Sequence, residues 1–191
     1  MIQHNNVPDE LLFLTSNEGK YNEASFIMNV FGIKLVWRKT EKKEVQSDDV
    51  ETVALEAAKA AAIYESSPFI IEDDGLFIDC LNGFPGPYSS YVLIKLGLER
   101  VLKLIDEDDR RARFKSAVAL HLDGRFMIFT GIAEGTISFA KKGDLGFGYD
   151  PIFIPDVGKR TMAEMTVMEK STISHRGKSL TSLAGYLKKF H

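Results

Sequence analysis

A chain of 191 residues with 45% hydrophobic and 27% charged residues is long enough to bury one substantial core and has the mixture of a folded globular protein, not of a disordered tail or a membrane protein. The formal net charge of -3 gives no broad cationic surface, which excludes an easy grip on a nucleic acid polymer. Cys80 stands alone, so an internal disulfide framework and a multi-cysteine zinc site are excluded and a reducing compartment is expected.

Asp9 and Glu10 precede the apolar run Leu11 to Leu14; this is neither a signal peptide nor a bilayer span, so a cytoplasmic protein without a membrane partner is expected. That run reads as a strand buried on both faces, followed by turn chemistry over Thr15 to Gly19. Ala24, Ile27, Met28 and Phe31 then recur at helical spacing until Gly32. A second strand is expected around Ile33 to Trp37, and Ser47 or Asp48 is expected to cap a helix with Val53, Ala57, Ala60 and Tyr64 on one face. Phe69 to Ile71 reads as a buried strand that is interrupted by Glu72-Asp73-Asp74-Gly75 and resumes at Leu76 to Ile78. Gly83-Phe84-Pro85-Gly86-Pro87 must be an ordered loop, with a helix to about Ile105 after it. Phe114 to Leu122 and Phe126 to Ile132 flank Asp123-Gly124, the dipeptide suited to a two-residue hairpin turn. Ser174 is expected to cap a last helix with Leu180, Leu183, Leu187 and Phe190 on its apolar face. No internal repeat or linker interrupts residues 1–191, and the alternation of strands and helices points to a single α/β domain with a mixed sheet.

Thr15-Ser16-Asn17-Glu18-Gly19-Lys20 joins a strand to a helix, where unpaired backbone N–H groups and a positive dipole end suit an anion. Thr15, Ser16 and Asn17 add side-chain donors and Lys20 adds a full charge. The same hexapeptide also reads as an ordinary capped helix start, and it lacks the second glycine and the hydroxyl after lysine of a Walker A loop. In Glu72-Asp73-Asp74, strand alternation turns Asp73 away from its neighbours; crowded carboxylates suit a hard cation such as magnesium, and Glu44 is a candidate to complete that shell. Asp74-Gly75 also reads as a hairpin turn with solvated acids. In Gly146-Phe147-Gly148-Tyr149-Asp150-Pro151 the glycines allow backbone to approach a planar group, Phe147 can stack on a base and Asp150 can accept a hydrogen bond from it. Lys170, Ser174, His175 and Arg176 gather donors before the final helix, although a histidine beside a cap is often structural.

Together, Thr15 to Lys20, Glu72 to Leu76, Phe84-Pro85-Gly86-Pro87-Tyr88-Ser89, Gly146 to Pro151 and Ser174 to Arg176 resemble the inosine triphosphate pyrophosphatase family, also called Ham1-like, in order and spacing over nearly the whole chain. The resemblance implies an elongated α/β fold, with a long central mixed sheet, flanking helices and two lobes around an active-site cleft, and a homodimer. It implies hydrolysis of purine triphosphates carrying the wrong base (ITP, dITP and XTP) to monophosphate and pyrophosphate. By matching positions, Thr15, Ser16, Asn17, Glu18, Gly19 and Lys20 bind triphosphate, Glu44 and Asp73 hold Mg2+, and Asp73 is also the base for the attacking water. Phe147, Gly148, Tyr149 and Asp150, with Lys170, His175 and Arg176, hold the purine, and Lys59 reaches toward the phosphates. The chain departs from the family's usual Ser or Thr at Asp74, where a substrate contact is expected or the carboxylate joins the metal shell, and from its glycine pair at Asn82-Gly83. The rival readings are a metal-dependent hydrolase of other modified nucleotides and a nucleotide-binding regulator without turnover; a panel of bases separates them.

Overall fold

The computed structural model describes residues 10–40, 45–105 and 107–190. In chain order the elements are β1 (Glu10–Leu14), α1 (Glu18–Val30), β2 (Lys34–Arg38), α2 (Val50–Ala61), β3 (Phe69–Ile78), β4 (Pro85–Gly86), α3 (Ser89–Leu102), β5 (Arg111–Leu122), β6 (Arg125–Ile137), β7 (Phe153–Pro155), α4 (Val167–Ile173) and α5 (His175–Leu187). The strands form one mixed sheet in the order β2-β1-β3-β5-β6-β7, with β4 added against β3. β1 runs parallel to β2 and β3, while β3, β5, β6 and β7 are antiparallel neighbours. The expected hairpin is present: Asp123 and Gly124 both take positive φ, 51° and 71°, the combination a two-residue turn with matching twist requires.

The length of β3, β5 and β6 decides the architecture, because one helix layer cannot cover them from end to end. On one face, α1 and α5 pack over Leu11, Phe13, Leu35, Ile70, Val118 and Leu120. Farther along the same strands a second cluster, with Leu76, Ile78, Phe114, Ala133 and Ile137, is covered by α3 and the segment around Ile152 and Phe153. The opposite face near β1 is covered by the alanine-rich side of α2, which lies on Leu14, Phe69, Ile71, Ala117 and Ala119. Two packed lobes thus share one sheet, and the gap between them falls on β3 between Ile70 and Leu76.

Local details differ from the sequence expectations in three places. β3 runs without interruption from Phe69 to Ile78, and its full register against β5, Asp74 opposite Ser116 and Gly75 opposite Lys115, excludes a hairpin turn at Asp74-Gly75. Gly75 is required there because a Cβ would lie 2.5 Å from the carbonyl oxygen of Gly86. The cap of α2 is Asp49, whose carboxylate accepts from the Thr52 N–H at 3.0 Å, one or two residues past the expected position. The short helix α4, started by a Thr166 and Glu169 capping box, has too few turns to leave a periodic signal.

Candidate functional site

Strand geometry sets the floor of the site. Side chains alternate faces along β3, so Glu72 and Asp74 stand in the gap between the two lobes while Asp73 stands with Ile71 on the α2 side. Across the sheet, Ser116 lies in the same gap between Val118 of one core and Phe114 of the other. Its hydroxyl donates to Glu72 at 2.9 Å and exchanges a hydrogen bond with Ser179 at 3.0 Å. Consecutive carboxylates therefore serve two sides of the sheet, and Asp74 is not beside Asp73 as a shared metal shell requires.

Cations from three helices close over these acids. Lys20, in the first turn of α1, pairs with Glu72 at 3.1 Å and more closely with Asp74. Arg176, 1% exposed at the start of α5, donates from Nη1 to Glu23 at 2.8 Å, from Nε to Glu72 at 3.1 Å and from Nη2 to Asp74 at 2.7 Å. Lys170 of α4 reaches Glu23 at 3.1 Å and Asp150 at 2.7 Å. Burial opposes charge on Asp74, but the neighbouring Lys20 and Arg176 hold its carboxyl well below the usual range. Burial likewise opposes charge on Lys20, and Asp74 and Glu72 overcome it, raising its ammonium above the ordinary value.

Glu23 sits at the centre of this network. Its burial pushes the carboxyl up, yet Arg176 and Lys170 outweigh that and hold it at about 2 against an ordinary 4.5. Because the folded pKa lies below the unfolded one, the group contributes stability that is fully present above pH 4.5 and is lost as pH falls through about 2. The expected outcome in acid titration is a loss of unfolding free energy on the order of a few kcal/mol across that window, and a Glu23→Gln variant should show a shallower acid limb.

The third wall is the Gly146 to Asp150 turn. Gly146 and Gly148 take φ of 73° and 67°, and Asp150 fastens the turn by accepting from the Phe147 N–H at 2.9 Å. Phe147 lies against Gly19, where a Cβ would be 2.8 Å from the ring, and the Lys170 ammonium and the Arg176 guanidinium carbon stand 5.0 and 5.4 Å from its centroid. Tyr149 ties the turn to the α3 lobe by donating to the Ser89 carbonyl at 2.9 Å. His175 stacks on Phe114 with centroids 4.5 Å apart and meets Asp74 through Nε2 at 3.3 Å.

These walls enclose a cavity of about 300 Å³, the size of a small-ligand cleft. Of the residues singled out in the sequence it is lined by Asn17, Gly19, Lys20, Asp74, Phe147, Gly148, Tyr149, Asp150, Lys170, His175 and Arg176. Thr15 is buried and its hydroxyl accepts from the Asn17 N–H at 3.1 Å. Asn17 itself caps α1 by accepting from the Lys20 N–H at 3.1 Å, so both side chains shape the turn. Ser16 and Glu18 are exposed beside the cavity, and Lys59 is exposed on α2 and paired with Glu56 at 2.7 Å. Glu44 lies outside the described residues. Glu23 takes part without having been singled out, while Glu72, read from sequence as one of three crowded acids, and Ser89, named only as the end of a motif, take part as partners of Arg176 and Tyr149. Glu23 carried a signal, since it falls among Ala24, Ile27 and Met28 on the buried side of α1, where an acid needs a cationic partner.

A cation would find its oxygen ligand in Asp73, 5% exposed on the α2 face. Among the described residues no group of three or more His, Cys, Asp or Glu side chains forms a ready metal cage. A set of one or two carboxylates nevertheless suits magnesium, which keeps waters and takes remaining ligands from substrate phosphates.

The Ham1 family model matches residues 11–186 of the chain. The dITP/XTP pyrophosphatase of Pyrococcus horikoshii is 46% identical over 180 residues, covering 94% of this chain and 97% of the relative. That of Thermococcus kodakarensis is 45% identical, covering 93% and 97%. Among solved structures, the Staphylococcus aureus Ham1 protein superposes with a TM-score of 0.78 at 29% identity, over 94% of this chain and 100% of that one. A Ham1 protein from Coxiella burnetii gives 0.77 at 30% identity, over 94% and 99%.

Proposed function

The chain belongs to the Ham1 family, and on that premise we infer that it hydrolyses purine nucleoside triphosphates carrying the wrong base, ITP, dITP and XTP, to the monophosphate and pyrophosphate. The observation that carries this reading for the chain's own residues is a single cavity in which an ammonium at a helix start, Lys20, faces an aromatic and glycine turn, Phe147 and Gly148. The first suits phosphate oxygens; the second suits a planar base.

In the proposed reaction water attacks the α-phosphorus and pyrophosphate leaves. Negative charge grows on the phosphoryl oxygens and the leaving group, and Lys20 is placed to offset it. We assign to Asp73 the proton of the attacking water: it stands on the α2 face outside the cavity lining, and its charge reaches Lys20, so the triphosphate would run from the cavity past Lys20 toward that face. Magnesium held by Asp73, with Glu44 as a further ligand, would supply neutralisation of the triphosphate charge. Hypoxanthine and xanthine present an O6 acceptor where adenine presents an amino donor. The lining donors Lys170, His175 and Arg176 suit the former, and the amino group of adenine, a donor set against donors, lowers its turnover by on the order of 10⁴-fold.

Phe147→Ala is expected to raise KM for ITP about tenfold while kcat stays within a few-fold, because stacking contributes on the order of 1–3 kcal/mol to holding a base; steady-state kinetics checks the split. A homodimer belongs to the same proposal, supported by exposed Phe84, Tyr88, Tyr91 and Ile94 near one another in sequence, as does a cytoplasmic location, supported by the lone cysteine. Among the described residues no helix is long and apolar enough to cross a membrane. The test of the function is a panel of ITP, dITP, XTP, GTP and ATP with magnesium. Pyrophosphate from the first three at rates far above ATP is expected, and equal turnover of ATP overturns the base assignment.

A further inference from the structure

The ion network around the cavity holds three cations, Lys20, Lys170 and Arg176, against four carboxylates, Glu23, Glu72, Asp74 and Asp150. Most of these acids are saturated. Glu23 and Glu72 are held behind the cations, and Asp150, 3% exposed, is occupied by Lys170 and by the Phe147 N–H. Asp74 differs: like Asp150 it lines the cavity, but its side chain keeps 18% exposure against 4% for Asp150. Its Oδ2 takes Arg176 and His175, while its Oδ1 takes Lys20 alone. Each carboxylate oxygen accepts about two hydrogen bonds, so Oδ1 retains one acceptor position, with the Lys20 ammonium on the same oxygen and the Arg176 and His175 donors on Oδ2 beside it.

An acceptor flanked by donors is the complement of one purine edge. In a 6-oxopurine, O6 accepts and the adjacent N1–H donates; in adenine both roles are reversed. We propose that Asp74 reads the N1–H of the base and biases the site toward hypoxanthine over xanthine. The bias arises one atom further along the ring. Hypoxanthine carries C2–H there, whereas xanthine carries a second carbonyl, whose oxygen would face the carboxylate lone pair to lone pair. Xanthine is also the stronger acid and carries part of a negative charge near neutral pH, which the excess carboxylate of this cavity opposes. A Ser or Thr at position 74 would present no such charge. This assignment rests on the purine triphosphate reading above and adds to it an order among its substrates: ITP and dITP ahead of XTP.

The experiment compares kcat/KM for ITP and XTP in the parent, Asp74→Ser and Asp74→Asn, together with calorimetric binding of IMP and XMP to the parent. The parent should favour ITP and bind IMP more tightly than XMP. In Asp74→Ser the XTP to ITP ratio should rise on the order of tenfold, the scale of one relieved polar mismatch. Asp74→Asn should raise it further, since its carbonyl still accepts N1–H while its amide donates to the xanthine O2, and its shape preserves the packing should the serine variant unfold. Taking the ratio within each variant removes any loss common to both substrates. Overturning results are a parent that prefers XTP or XMP, or a ratio unchanged in both variants while ITP and XTP lose activity together; in either, hydrolysis by the parent still stands. If the parent hydrolyses neither triphosphate, the functional reading falls, and this one with it.

Discussion

Asp73→Asn is expected to lower kcat/KM for ITP by on the order of 10³-fold or more, with a thermal midpoint within about 2 °C of the parent, because general-base catalysis alone contributes roughly 10²–10⁴ and a metal ligand is weakened at the same time. Asn preserves the shape of the side chain, so the β3 register with Ala117 opposite is undisturbed. The site built on the other face, from Glu72 and Asp74, also keeps its ion pairs. The assay is steady-state turnover beside circular dichroism. Parent-like turnover in a folded Asp73→Asn protein would remove both roles proposed for this carboxylate.

Arg176→Met is expected to unfold the protein earlier rather than merely blunt its selectivity. The guanidinium is 1% exposed and its nitrogens bond Glu23, Glu72 and Asp74, so methionine removes the one cation that these three carboxylates share. Breaking a buried ion network from one side costs about 3–5 kcal/mol. In a chain of this size that lowers the thermal midpoint by roughly 10 °C. The loss should shrink in acid, where Glu23 takes up a proton and no longer needs the cation. A midpoint within about 2 °C of the parent at neutral pH contradicts this account of Arg176. From sequence, Arg176 reads as a donor to the base; in the structure it lines the cavity and, in addition, holds the acids of β3 and α1 together.

The elements that sequence resolved well are those whose signal is local. The Asp123-Gly124 turn, the Ser174 cap and the apolar faces of α1 and α5 depend on neighbours within a few residues, and each is found where expected. The opposed faces of Asp73 and Asp74 followed from strand alternation alone. What sequence missed depends on distant partners. Glu72 to Asp74 looks like a break in an apolar strand until Lys20 and Arg176 are brought over it from residues about 50 and 100 positions away. Glu23 looks like a misplaced acid on a helix until Lys170 and Arg176 reach it. Thr15 and Asn17 accept hydrogen bonds from the turn they build, as the capped helix start that the hexapeptide also allowed requires, and the Thr15 hydroxyl proton and the Asn17 amide nitrogen are not used in those bonds; Asn17, Gly19 and Lys20 are the parts of that hexapeptide that line the cavity.

The most direct measurement is hydrolysis of ITP with magnesium in water enriched in ¹⁸O, followed by mass analysis of the products. Attack at the α-phosphorus places the heavy oxygen in IMP and leaves pyrophosphate unlabelled. Labelled orthophosphate released with IDP, or label found in pyrophosphate while IMP carries none, would show that water is directed at a different phosphorus and that the cavity holds the triphosphate in another register.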